Sequence, residues 1–299
     1  MLDVVIIGSG PAGITAAIYA KRADLNVAVV EKEYLGTGQI AESSRVDNYP
    51  GIPGIDGYSL GEKFREHAES LGVEFTEAQV LSLGQKDGIW IIGCDEDITL
   101  ESKAVIYATG CKNRPLGVPG EEKYYGRGLS FCAVCDGAFY KGKRVAVIGG
   151  GDTALDDAMY LSDICEKVYL VHRREFFRGS ASTLEKLKQK ENVEIIVNAR
   201  VEEITGDKKI DGIILDNKTK LNISGLFAAV GMIPQTELLK EFGVLDESNY
   251  VKASEDTKTT VNGLFAAGDV RTKQLRQVVT AAADGANAIY SVMEYLRNI

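Results

Sequence analysis

The spacing of apolar positions changes several times along the chain, and each change marks an element. Val4-Val5-Ile6-Ile7 is an unbroken apolar run, the pattern of a parallel strand buried on both faces. Glycine-spaced residues 8–13 follow. Residues 14–20 then read as helix, and Val27-Ala28-Val29-Val30 as a second strand ending on Glu31. Residues 34–57 are rich in glycine, proline and polar side chains without a period, which predicts a loop. From Leu60, apolar residues at 60, 64, 68 and 71 recur at helical spacing, with His67 on or beside that face as a packing residue. Residues 73–80 and 88–92 read as strands, with Trp90 in the core. Residues 104–107 form another buried strand running into Gly110, and turn-forming residues between Asn113 and Gly120 mark a boundary.

The same order then begins again. Residues 145–148 are a strand, 149–154 a glycine-rich stretch, 155–162 a helix and 168–171 a strand. The pentapeptide at 225–229, Gly-Leu-Phe-Ala-Ala, recurs at 263–267. The first copy would close the second unit. The second copy, with an amphipathic helix from about Gln277 to Leu296, would return to the first unit. The expected fold is α/β: two Rossmann-like, three-layer nucleotide-binding domains, the second inserted into the first. Residues 1–112 and 235–299 would form one domain and 113–234 the other.

Composition narrows the class. A length of 299 residues suits about two domains, and 45% hydrophobic with 26% charged residues is ordinary for a globular protein. A net charge of −9 argues against nucleic acid or an anionic membrane as partner. No apolar run reaches the roughly 20 residues of a membrane span. A strand so close to Met1 leaves no room for a signal peptide, and five cysteines do not read as a secreted disulphide framework. The expected location is the cytoplasm.

Chemistry enters at three places. Gly8-Ser9-Gly10-Pro11-Ala12-Gly13 lies between strand and helix, and Glu31 ends the next strand. The first glycine makes the turn, the second lets backbone approach a pyrophosphate and the third lets helix and strand pack, while the acid can accept from a ribose hydroxyl. Gln39 and Asn48 are hydrogen-bonding candidates in the loop that follows. Gly149-Gly150-Gly151-Asp152-Thr153-Ala154 repeats the fingerprint, but here the next strand ends on His172-Arg173-Arg174, with Arg178 beyond. Guanidinium groups there suit a 2′-phosphate and favour NADPH over NADH, the plain alternative being a solvated basic turn. Between the fingerprints lies Phe131-Cys132-Ala133-Val134-Cys135-Asp136-Gly137. Its cysteines suit thiol–disulphide exchange, half of a zinc site, or an inert buried pair. Cys94, Cys111, Cys165, His67 and His172 are scattered and supply no second metal-binding pair, and a position between two nucleotide sites favours redox chemistry without a metal.

Taken together, these motifs resemble the low-molecular-weight thioredoxin reductases over essentially the whole chain. Also carrying the resemblance are Gly38-Gln39, Asn48-Tyr49-Pro50-Gly51, Ala108-Thr109-Gly110, and Ala267-Gly268-Asp269 followed by Arg276-Gln277. Val134 stands where many relatives have threonine. The resemblance implies a homodimeric flavoprotein passing electrons from NADPH through FAD to Cys132–Cys135, and on to the disulphide of thioredoxin or a similar small protein. It assigns to the cofactors Gly8, Ser9, Gly10, Pro11, Ala12, Gly13 and Glu31, then Gly151, Asp152, Thr153, Ala154, His172, Arg173, Arg174 and Arg178, together with Lys32, Gly38, Gln39, Asn48, Val80, Ala108, Thr109, Gly110, Gly268, Asp269, Arg276, Gln277 and Val278. Cys135 would lie nearest the flavin, Cys132 would attack thioredoxin, and Asp136 would move protons or simply form the turn. Because nicotinamide and disulphide must each reach one flavin, the inserted domain is expected to rotate about residues 112–116 and 230–236. A flavin oxidase that merely carries the cysteines, or a thiol-state sensor, is the rival reading.

Overall fold

The computed structural model describes residues 1–33, 37–43 and 45–299. Strand β1 (Leu2–Ile7) buries both faces, as its apolar run requires: Val4 and Ile6 enter one core cluster, Val5 and Ile7 another. Helix α1 (Pro11–Arg22) and β2 (Val27–Glu31) follow. Of the 34–57 stretch, positions 34–36 and 44 lie outside the described residues. The remainder holds a 3-10 turn at Gly38–Glu42 and a bridge between Val46 and Ile55.

Helix α2 (Gly57–Ser70) is capped by the Asp56 side chain, which accepts from Ser59 N–H at 2.9 Å. Its buried face differs from the expected one. Leu60 and Ala68 are buried, but Leu71 and His67 are exposed, so His67 is not a packing residue. Arg65 is buried instead, held by Glu31 and Glu69 and covering the Phe75 ring at 4.0 Å. The run at 73–80 also divides, into β3 (Glu74–Glu77) and β4 (Val80–Lys86), followed by β5 (Ile89–Cys94) and β6 (Thr99–Tyr107). The sheet order is β3-β2-β1-β6-β5-β4. Only Ala78 and Gln79 separate the two outermost strands, so the antiparallel β4–β6 meander must fold back over the parallel strands. Trp90 and Ile92 fill the space between.

From β7 (Cys111–Asn113) the chain enters its second unit, with β8 (Leu129–Ser130), a short helix α3 (Ala133–Asp136), β9 (Arg144–Gly149), α4 (Asp152–Ser162), β10 (Lys167–Val171), α5 (Ala181–Lys188) and β11 (Val193–Ile196). A meander of β12 (Val201–Thr205), β13 (Gly212–Leu215) and β14 (Lys220–Asn222) precedes β15 (Gly225–Ala229). The parallel sheet runs β11-β10-β9-β15-β8. Val145 and Val147 face the cluster containing α4 and α5, whereas Ala146 and Ile148 face the cluster shared with the meander. This unit too has three layers.

After β16 (Met232–Pro234), β17 (Leu264–Ala266) and α6 (Val278–Leu296) belong to the first unit, which comprises Met1–Lys112 and Ile233–Ile299, the second being Asn113–Met232. The return thus falls two residues before the boundary read from sequence. β6 serves two neighbours on one edge: Thr99–Ser102 pairs with β5, and Val105–Tyr107 with β17. Helix α6 meets α1 so closely that a Cβ on Gly285 would lie 2.2 Å from the Ala12 carbonyl oxygen. The two copies of the pentapeptide do not take equivalent places. β15 pairs with β9, the strand that leads into the second fingerprint, while β17 pairs with β6 and not with β1, the strand that leads into the first. Both are short strands buried on two faces, and that environment explains their shared composition. Among the described residues, no helix is long and apolar enough to cross a membrane.

Candidate active site

The disulphide turn begins where β8 ends. Cys132 caps α3 with extended backbone, and its Sγ accepts from Cys135 N–H at 3.2 Å. Cys132 and Cys135 are joined in a disulphide with Cα atoms 5.3 Å apart. Glycine at 137 is required by what lies beneath, since a Cβ there would stand 2.7 Å from the Tyr160 ring and 3.0 Å from Leu161 on α4. The turn is therefore seated against α4, with Val134 and Phe139 exposed beside it. Cys94, Cys111 and Cys165 are buried free thiols. Burial pushes Cys111 and Cys165 up to about 11, so neither ionises near neutrality. Among the described residues no cluster of three or more metal-binding side chains occurs.

Asp136 adjoins the disulphide. Burial raises its pKa, and a hydrogen bond from Ser130 Oγ to Asp136 Oδ2, at 2.6 Å, opposes that rise. Ser130 Oγ also accepts from Cys132 N–H at 3.1 Å. Neither Ser130 nor Asp157 was marked by the motifs. Asp157, on α4, is pushed up to about 7 by burial and the neighbouring Asp156.

The second fingerprint belongs to the same unit. A Cβ on Gly149 would lie 2.4 Å from the Ala229 carbonyl oxygen, and one on Gly150 would meet the His172 imidazole at 2.2 Å, whereas Gly151 faces open space. His172 is thus buried against the turn, with its ring 4.8 Å from that of Phe177 and its pKa lowered by burial. It supports the loop. Arg178 N–H and Gly179 N–H donate to the Gly150 carbonyl at 2.7 and 3.2 Å, folding the segment that carries the exposed Arg173, Arg174 and Arg178 back onto the glycine turn. The Asp152 carboxylate accepts from Ser180 N–H at 2.7 Å.

In the first unit, Gly8 has φ +104° and its missing Cβ would lie 2.5 Å from the Ala108 carbonyl oxygen, while a Cβ on Gly13 would lie 1.9 Å from that of Gly8. Gly10 meets nothing nearer than 3.9 Å, which leaves an open backbone face at the α1 N-terminus. Glu31 is 3% exposed; its Oε1 accepts from Arg65, and its Oε2 has no hydrogen-bond partner. Asp269 Oδ1 is likewise buried without a partner. Buried carboxylate oxygens in this condition call for hydroxyl donors. A ligand carrying a ribose and a polyol chain would supply them, so the residues fit a flavin dinucleotide. Around Asp269, its carbonyl accepts from Cys111 Sγ at 2.9 Å and Arg276 Nε at 3.3 Å, while the Arg276 guanidinium lies 4.2 Å from the Tyr250 ring centroid. Asn48 Nδ2 donates to Gln277 Oε1 at 2.8 Å, bringing two motif residues together. Thr109 donates its hydroxyl to the Gln235 carbonyl, Val80 is partly buried at the start of β4, and Lys32 is exposed.

A buried ionic cluster supports the Gly268–Asp269 turn, and nothing in the motifs announced it. Asp284 Oδ2 accepts from Gly268 N–H at 2.8 Å, Arg271 Nε at 2.8 Å and Lys273 Nζ at 2.9 Å, and Oδ1 accepts from Arg271 Nη2 at 2.7 Å. Asp284 and Arg271 are each 2% exposed.

Residues 2–285 match the family described as pyridine nucleotide-disulphide oxidoreductase. The chain belongs to this family. Membership implies a flavin and a nicotinamide cofactor for the oxidoreductase. It is 39% identical to the thioredoxin reductase of Listeria monocytogenes over 99% of its own length and 94% of that protein. It is 40% identical to the thioredoxin reductase of Helicobacter pylori over the full length of both. The crystal structure of thioredoxin reductase from Streptococcus pyogenes matches the oxidoreductase with a TM-score of 0.94 at 39% identity, over 100% of this chain and 99% of that one.

Proposed function

We propose that the protein is an NADPH-dependent, FAD-containing thioredoxin-disulphide reductase. The observation that carries this reading is the Cys132–Cys135 disulphide, set in a half-buried turn with Asp136 beside it, in the same unit as the second nucleotide fingerprint. Relatives named thioredoxin reductase, aligned over nearly the whole chain, support the choice of substrate.

Glu31 Oε2 and Asp269 Oδ1 would accept from the FAD ribose and ribityl hydroxyls, with the open backbone at Gly10 against the pyrophosphate. Gln39, Asn48 and the Arg276–Gln277–Val278 segment would surround the rest. Bound FAD supplies hydride acceptance and two-electron delivery. Arg173, Arg174 and Arg178 would grip the 2′-phosphate of NADPH. Once reduced, Cys132 attacks the substrate disulphide as thiolate, Cys135 resolves the mixed disulphide, and Asp136 moves the proton.

Rotation of the inserted unit is part of the proposal, and hydrogen bonds internal to each unit narrow its pivots. In the first unit, Tyr107 OH and Thr109 Oγ1 both donate to the Gln235 carbonyl, at 2.9 and 2.8 Å. In the second, Leu116 N–H and Val118 N–H are held by the buried Glu121 carboxylate. We place the pivots at residues 112–115 and 230–234, a shorter span than sequence suggested. A homodimer and a cytoplasmic location complete the reading.

The test is a purified-protein assay: the flavin band should bleach anaerobically with NADPH and recover on adding oxidised thioredoxin. Cys132→Ser should keep the bleaching and lose the recovery. Recovery that survives this substitution would point to chemistry through the flavin alone and overturn the assignment.

A further inference from the structure

We propose that Ser130 is a positioning residue for proton transfer at the disulphide: its hydroxyl fixes one oxygen of Asp136 and leaves the other to exchange a proton with sulphur. The inference rests on the acid–base reading of Asp136 given above.

Ser130 is the last residue of β8 and is 6% exposed, so its orientation is set by the protein. Its acceptance of the Cys132 N–H is an ordinary local turn contact. The bond to Asp136 is of another kind, because it crosses the turn to a carboxylate that, among the described residues, has no cation beside it. Among the described residues Ser130 is the one hydrogen-bond donor to Asp136, and Oδ1 accepts none. A single hydroxyl thus connects the backbone of the attacking cysteine to the proton carrier.

The steps balance as follows. The Cys132 thiolate forms a bond to one sulphur of the substrate disulphide, the substrate S–S bond breaks, and the second sulphur leaves as thiolate. The Cys135 thiolate then bonds to Cys132 Sγ, expelling the first substrate sulphur and restoring the Cys132–Cys135 disulphide. Two electrons pass from the dithiol to the substrate. A leaving thiolate takes its proton from Oδ1 of Asp136, which becomes a carboxylate. Ser130 O–H stabilises that carboxylate, so it makes Asp136 a readier donor.

Other titrating groups surround the site and must be told apart from Asp136. Its own helix contributes Cys132 and Cys135 once reduced. The following 3-10 turn contributes Tyr140, raised by burial and by Asp136 itself. Helix α4 sets Tyr160 against Gly137 and also carries Asp157, which burial pushes up to about 7.

Pre-reduced protein is mixed with oxidised thioredoxin from about pH 5 to pH 9, using wild type, Ser130→Ala, Ser130→Thr, Asp136→Asn and Asp157→Asn, with flavin bleaching by NADPH measured alongside. Ser130→Ala should lower the plateau roughly tenfold, the size of one hydrogen bond to a charged group, and move the alkaline limb to higher pH. Ser130→Thr should restore both. Asp136→Asn should abolish the limb, and Asp157→Asn should leave it in place. A Ser130→Ala profile with an unmoved limb, or an equal loss in flavin bleaching, makes Ser130 a packing residue and overturns the inference. A wild-type limb in Asp136→Asn defeats the Asp136 reading itself, separately from any result at Ser130. Carbon-13 titration of the Asp136 carboxyl in the oxidised Ser130→Ala protein gives a second check. A titration midpoint unchanged from wild type would overturn the proposal even if turnover were too weak to follow.

Discussion

Replacing Asp284 by alanine would test whether a buried ionic cluster holds the Gly268–Asp269 turn. The substitution removes the buried counter-ion of Arg271, which is 2% exposed and would keep only the exposed Glu255 and two carbonyls, takes the carboxylate from Lys273, and removes the acceptor of the Gly268 N–H. Breaking a buried pair from one side costs about 3–5 kcal/mol, because the partner charge stays buried without compensation. For a unit of this size that corresponds to a loss on the order of 10 °C in melting temperature. The charge adds a pH signature. Burial alone would raise the Asp284 pKa, but the hydrogen bonds from Arg271 and Lys273 outweigh it and hold the group below its ordinary value of 3.8. A carboxylate depressed in the folded state contributes stability that is complete above the unfolded pKa and is lost as pH falls through the folded one. Wild type should therefore melt well above Asp284→Asn at neutral pH, and the gap should close under acid. The assay is thermal unfolding of flavin-free protein across pH, together with titration of FAD into each variant. Asp284→Ala should also bind FAD more weakly, since the Asp269 carboxylate loses the turn that aims it. Melting within about 2 °C of wild type, with unchanged FAD affinity, would refute the reasoning.

The remaining predictions use the same features. Changing Arg173 and Arg174 together to Gln should raise the KM for NADPH by about ten- to a hundredfold, two charge-assisted contacts being lost, and leave that for NADH nearly unchanged; equal effects on both would exclude a 2′-phosphate site there. Asp157→Asn should be more stable than wild type at pH 7 and above, because a carboxyl raised to about 7 makes stability fall as pH rises from its ordinary 3.8; the difference should vanish under acid, and a constant gap would contradict the assigned cause. A cross-link fixing the second unit to the first should stop turnover with thioredoxin, and survival of turnover would remove the need for rotation.

Much of the site could be read from sequence because its motifs are local. Gly13 meets the Gly8 carbonyl within one strand–turn–helix unit, and Cys132, Cys135 and Asp136 share one turn of chain. What escaped was whatever forms only when distant segments meet. Arg65 looks like one more charge on a polar helix face until Glu31 arrives opposite it, and its burial displaces Leu71 and His67 to the surface. Ser130 and Asp284 carry no motif, since a hydroxyl or carboxylate of this kind acquires its role from the group the fold sets against it. His172 was grouped by adjacency with the arginines expected to bind phosphate, yet it alternates inward and fills the space beside Gly150. The 73–80 run gave no sign of division, because both halves have strand propensity and only the folding of the meander separates them.

The strand β17 pairs with the far half of β6, and α6 packs on α1, so the first unit is completed by a segment of chain that leaves the ribosome after the inserted unit. The inserted unit is continuous and emerges whole before that happens. During synthesis the later-starting unit can reach its native state while the earlier one waits, its glycine-notched α1 uncovered, for a C-terminal helix that does not yet exist. Birth order and folding order are thereby reversed.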